Sequence, residues 1–224
     1  MCGRFTLHTS LEKIEETFKV EPSDVTLPPS YNVAPTQDVL TVVQRDGKNI
    51  LMAMRWGLIP FWSKDSKIGN RMINARADRV TESSAFKCPL KSQRCLVVAD
   101  GFYEWRKLDG KKVPMYIHLK SNEPFGFAGL YDTWRASDGE PVTSCTIITT
   151  DANELVAPIH ERMPVIIPKR QYQSWLDPEL QDVVKLVSLL SPLPARQMQA
   201  YEVSRLVNAP ANNAPECIAP VAEA

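Results

Sequence analysis

Cys2, Asn74, Glu104 and His160 are the side chains in this sequence whose types could together carry covalent chemistry. Cys2 follows the initiator methionine in MCGRF, so loss of Met1 would leave an α-amine and a thiol on one residue. The amine titrates near about 7.7–8.0 and the thiol near about 8.5, well below a lysine, so both hold a reactive fraction near neutral pH. Such a pair condenses with aldehydes. Spacing alone supports a plainer alternative, in which Cys2 is a small buried hydrophobe. Arg4 shares its face of a strand, where a cation lowers a thiol pKa or holds a phosphate.

His160 is one of three histidines and sits in APIHERMP, between Glu161 and Arg162, in a loop running into a strand. That is a place for proton transfer, although a lone histidine is more often structural. His8 and His118 alternate with strand residues and have weaker claims. Glu104 lies inside GFYEWR; burial among Phe102, Tyr103 and Trp105 would raise its pKa toward neutrality, and an exposed hairpin glutamate is the alternative. INAR, residues 73–76, puts Asn74 and Arg76 on one face if extended, with Arg71 and Arg79 nearby. These arginines could follow a phosphate backbone while Trp62 or Phe61 stacks on bases, or they could be a solvated charged stretch. Nothing in the spacing brings residues 2, 74, 104 and 160 together.

The elements that must position these groups are legible in part. Cys2 to His8 reads as a strand, and TSLE at Thr9–Glu12 as a capping box before a helix carrying Leu11, Ile14 and Phe18. Glu21 to Asp38, with LPPSYNVAP inside it, reads as an extended loop because of its prolines. Strands at Val39–Arg45 and Ile50–Arg55 flank Asp46-Gly47, and GFYEWR and VPMYIHL flank LDGK, giving two hairpins. Cys95–Asp100, Phe125–Tyr131, Cys145–Thr150 and Met163–Pro168 add strands. Helices are expected over Lys169–Leu176 and Pro178–Leu190. The expectation is a single strand-rich α+β domain over residues 1–224 with peripheral helices, its tail from about 209 frayed, though Cys217–Pro220 could form a last strand.

Composition narrows the partners. Lysine and arginine, 26 together, balance 26 acidic residues, so any polyanion must meet a local patch. Five cysteines without CxxC spacing argue against a zinc site and a disulfide framework; no metal and no cofactor are expected. Without a signal-like start or a run of 18 apolar residues, a cytoplasmic protein with no membrane partner is expected.

Taken in order, MCGRF, YNVAP from Tyr31, WGLIP from Trp56, INAR, ADGFYEW from Ala99, HERMP from His160 and VSRLVN from Val203 resemble the SOS response-associated peptidase (SRAP) family of abasic-site processing proteins. The resemblance runs through nearly the whole chain. It implies a mixed α+β fold with a pseudo-barrel core, capture of the aldehyde of an abasic site in single-stranded DNA by Cys2, and removal of the initiator residue. It carries the family's asparagine, glutamate and histidine onto Asn74, Glu104 and His160. The expected DNA-contacting set is Arg4, Asn32, Pro35, Trp62, Arg71, Arg76, Arg162 and Ser204. It also implies some lyase activity and, for a bacterial protein, association with the nucleoid. One departure is visible: Ala211 follows Pro210 where the family often has a basic residue. Two other functions stay open, a thiol peptidase with Cys2 as nucleophile and His160 as base, and a non-catalytic single-strand-binding module.

Overall fold

The computed structural model describes residues 2–136 and 139–221. Both Asp-Gly hairpins form. β3 (Asp38–Arg45) pairs with β4 (Lys48–Trp56), and β7 (Gly101–Leu108) with β8 (Lys111–Leu119). Asp46 and Gly47 take φ of 50° and 74°, and Asp109 and Gly110 take 49° and 74°, the left-handed pair that a two-residue hairpin turn demands.

The other elements are β1 (Phe5–Leu7), α1 (Leu11–Phe18), β2 (Ser30–Val33), β5 (Asn74–Arg76), α2 (Pro89–Ser92), β6 (Arg94–Ala99), β9 (Phe125–Trp134), β10 (Val142–Asp151), β11 (Arg162–Pro164), β12 (Ile166–Ile167), α3 (Tyr172–Leu176), α4 (Val183–Ser188) and β13 (Met198–Glu202). β10 runs parallel to β4 and antiparallel to β9, while β4, β3, β6 and β9 pair in turn. These five strands therefore close a ring, the pseudo-barrel of an α+β fold. A second sheet in the order β13-β8-β7-β1-β2 lies against it.

Alternation of side chains separates the cores. In β6, Cys95, Val97 and Ala99 join Phe5, Trp56, Phe102 and Phe127 in one cluster, while Leu96 and Val98 face Phe18 and Trp175 on the helical side. In β7, Phe102 enters the first cluster and Tyr103 turns outward to Tyr116 and Val207. Each large side chain buried this way contributes roughly 1.5–3 kcal/mol.

Five local expectations are corrected. The strand expected over Cys2–His8 starts at Phe5, and the helix cap is Ser10, whose hydroxyl accepts the Lys13 N–H, because Asp100 already takes the Thr9 amide and hydroxyl. The supposed loop over Glu21–Asp38 contains β2, since pairing with the short β1 places Val33 opposite Phe5 and keeps the prolines outside the ladder. The segment Met163–Pro168 breaks at Val165. β11 pairs with β10 and β12 with β9, so one segment stitches two ring strands. The last helix begins at Val183, where Asp182 accepts the Val184 and Lys185 amides, and Pro178 stays outside it.

Residues 209–221 pack on the body: Asn213 accepts the Tyr31 amide, Cys217 is buried, and Val203 bridges Pro220 in place of a last strand. Residues 222–224 of the expected frayed tail lie outside the described residues. Among the described residues no helix is long and apolar enough to cross a membrane.

Candidate active site

Four separate sequence blocks converge where β1 gives out beside β7. Past Phe5 the chain reaches Arg4, whose carbonyl still accepts the Tyr103 amide, and then Cys2, which is fully buried. The Asn74 Nδ2 donates to the Cys2 carbonyl at 2.8 Å. β5 can deliver Asn74 there because it runs parallel to β10, with Asn74 opposite Ile147 and Ala75 anchored in the core. The Asn74 Oδ1 is buried with no hydrogen-bond partner among the described residues.

Glu104 projects from the same side of β7 as Phe102 and is only 3% exposed. Burial raises its carboxyl pKa, with the charge of His160 and the Trp105 N–H acting against that rise. Burial and then the charge of Glu104 push the Cys2 thiol well up. Arg4 lowers it only through its backbone N–H and not through the cation that was expected to act. The Arg4 guanidinium instead donates to Asn32 Oδ1 and the Val207 carbonyl, both at 2.7 Å, and lies over the Trp105 ring.

His160 follows a turn that Asn153 holds by accepting the Leu155 and Val156 amides, and the His160 amide donates to the Val156 carbonyl. The Arg162 N–H donates to His160 Nδ1 at 2.9 Å. Nδ1 also lies 3.1 Å from the Arg162 carbonyl, and when it accepts the amide instead the neutral ring carries its proton on Nε2. Glu104 and His160 line one cleft of about 490 Å³ together with Trp105, Lys107, Lys112 and Asn208. A smaller cavity of about 270 Å³ between β1, β2 and β3 touches none of the four chemical groups.

The residues expected to contact DNA fall into three settings. Arg4 and Asn32 belong to a buried knot, where the Asn32 amide donates to the carbonyls of Val207, Ala209 and Asn212. Ser204 accepts the Leu206 amide and caps the turn that carries Val207. Arg76 and Arg162 meet around one carboxylate: Arg76 makes two bonds to Asp78, and Arg162, itself buried, bonds Asp151 and the Thr149 carbonyl and lies 3.6 Å from Asp78. Trp62 and Arg71 are exposed and Pro35 half-buried. WGLIP explains Trp62. Gly57, at φ 125°, lies against Gly69, where any Cβ would strike the Gly69 carbonyl, and the Ile59 amide is held by Ser144, so the chain turns out and presents Phe61 and Trp62.

Lys107, Lys112 and Asn208 were absent from the sequence reading of the site, yet they line the cleft. The two lysines stand symmetrically about Asp109-Gly110, a signal the hairpin pattern already held. Among the described residues no three His, Cys, Asp or Glu side chains are grouped to hold a metal ion.

The SOS response associated peptidase (SRAP) family matches residues 1–210. The chain is 51% identical to abasic site processing protein YoqW of Bacillus subtilis (strain 168), across 97% of this chain and 99% of that one. It is 34% identical to abasic site processing protein HMCES of Gallus gallus, across 86% of this chain, and there it spans 66% of the relative's length. A crystal structure of a protein from Bacteroides thetaiotaomicron superposes with a TM-score of 0.90 at 30% identity, covering 99% of this chain and 100% of that one. One from Bordetella bronchiseptica superposes at 0.79 with 26% identity, over 91% of this chain and 100% of its own. The chain belongs to the SRAP family.

Proposed function

We propose that this protein processes abasic sites in single-stranded DNA by capturing the opened sugar aldehyde on Cys2 after Met1 has left. The observation that carries this reading is the 2.8 Å bond from Asn74 to the Cys2 carbonyl, beside the cleft that Glu104 and His160 line. The names of the relatives from B. subtilis and G. gallus, abasic site processing proteins, support an abasic site as the substrate.

Burial and the charge of Glu104 hold the Cys2 thiol protonated in the chain that carries Met1. In this reading the thiol stays protonated once Met1 has left, and the amine makes the first bond. His160, with its proton on Nε2, protonates the sugar ring oxygen as the ring opens. The Cys2 amine adds to C1′ and water leaves, giving an imine; Glu104 accepts the proton that the nitrogen sheds. The sulfur then adds to the same carbon, its proton passes to the nitrogen, and a five-membered thiazolidine closes. Asn74 holds the Cys2 carbonyl through this sequence and offers Oδ1 to the amine. The imine also allows β-elimination of the 3′ phosphate, which gives a lyase side reaction. Removal of Met1 by the same acid–base pair fits the peptidase in the family's name.

The test is incubation with single-stranded DNA bearing one abasic site, followed by a denaturing gel. A heat-stable adduct is expected there and none with undamaged DNA of the same sequence. Equal behaviour of the two DNAs would replace this reading with a binding module.

A further inference from the structure

Beyond Glu104 and His160, the cleft has a second end that none of the chemistry uses. It is built from Lys107, Lys112 and Asn208. Lys107 and Lys112 are direct cross-strand partners in the β7–β8 hairpin, so their side chains leave the same face of the ribbon side by side. Like charges placed directly opposite destabilise a hairpin. Neither lysine has an ion-pair partner among the described residues, although Arg106 beside them pairs with Glu202. The rigid Asp109-Gly110 turn fixes the register that opposes them. Asn208 adds a third donor. Its Oδ1 accepts the Trp105 indole N–H at 2.8 Å, which leaves the Nδ2 hydrogens to bond elsewhere.

This end of the cleft therefore offers cations and an amide donor, while the other end holds Glu104 and His160. From Glu104 to Lys107 is three residues along an extended strand, about 10 Å. We propose that Lys107, Lys112 and Asn208 form a phosphate grip that seats the backbone next to the nucleotide held at Cys2, the ligand being DNA phosphate. A phosphodiester placed between the two ammonium groups removes their repulsion, and this is what an opposed lysine pair in a cleft is suited to do. The grip rests on the DNA reading above and adds to it a defined path for the strand out of the site.

The test measures equilibrium binding of a labelled single-stranded oligonucleotide containing a tetrahydrofuran abasic analogue, which has no aldehyde and cannot react. The intact protein is compared with Lys107→Gln/Lys112→Gln, Lys112→Gln and Lys111→Gln over a series of salt concentrations. Lys111 pairs with Leu108 on the opposite face, so it removes the same charge from the same hairpin without touching the cleft. The double variant should bind roughly tenfold more weakly at 0.1 M salt, with a salt slope lower by about 1.4 for two lost single-strand phosphate contacts. Lys112→Gln should take about half of that slope change, and Lys111→Gln should leave the slope unaltered. Equal effects of Lys111→Gln and Lys112→Gln, or no loss in the double variant, would overturn the grip. The wild-type protein is also tested for adduct with reactive abasic DNA. Failure there sinks the aldehyde reading, while the binding comparison still decides the lysines.

Discussion

The side chain of Asn74 reaches across the fold to hold the backbone of Cys2, its Nδ2 donating to the Cys2 carbonyl at 2.8 Å. The bond fixes the residue on which the proposed chemistry starts. Asn74→Ala should therefore slow adduct formation by about 10²-fold, the penalty for a nucleophile displaced by around 1 Å. Single-turnover rates at saturating DNA would read this, and an unchanged rate would remove Asn74 from the site.

Glu104 yields two outcomes of opposite sign. Burial raises its pKa, so the folded state binds this proton more tightly than the unfolded chain does. Stability contributed by the protonated form is full below the unfolded pKa and is lost as pH rises through the folded value. Glu104→Gln should thus raise the melting temperature at neutral pH and flatten its decline over that window, while adduct formation falls by roughly 10²–10⁴. A less stable Glu104→Gln at neutral pH would show that the carboxylate is held by more than it loses.

His160→Ala should lower the same rate by roughly 10²–10⁴ and leave circular dichroism unchanged. The side chain is only half-buried, and its Nδ1 meets the backbone of Arg162, a contact whose loss the turn held by Asn153 survives. Unfolding on this change would make the histidine structural.

Asn32 behaves differently. Its amide satisfies the carbonyls of Val207, Ala209 and Asn212 in a buried setting. Asn32→Ala should destabilise the fold by ~2–4 kcal/mol, lowering the melting temperature by ~5–15 °C. Thermal unfolding decides this, and a stable variant that binds DNA poorly would return Asn32 to the DNA surface.

These residues mark what a sequence can and cannot say. The Asp-Gly hairpins were readable because the backbone demand is local: Asp46, Gly47, Asp109 and Gly110 all have positive φ. The helix start was misplaced by one residue because a distant partner, Asp100, claimed Thr9. The meeting of Cys2 with Asn74 and Glu104 depends on β5 joining β10 and β1 joining β7, and such distant pairings have no local signature. Resemblance to a family supplied those residues where spacing did not. Strand alternation set Glu104 on the face of Phe102 but left buried and exposed readings open, and its burial, like the turn of the Arg4 guanidinium to Asn32 and Val207, required the fold.

The central claim is that the amine of Cys2, freed by loss of Met1, bonds the sugar and its thiol closes the ring. Mass spectrometry of the peptide released from the purified adduct tests it most directly. The account predicts that Met1 is absent and that Cys2 carries the sugar remnant with loss of one water. Cys2→Ser should give only an imine that borohydride must trap. A heat-stable adduct on a chain that retains Met1, or one attached to any residue other than Cys2, would contradict it.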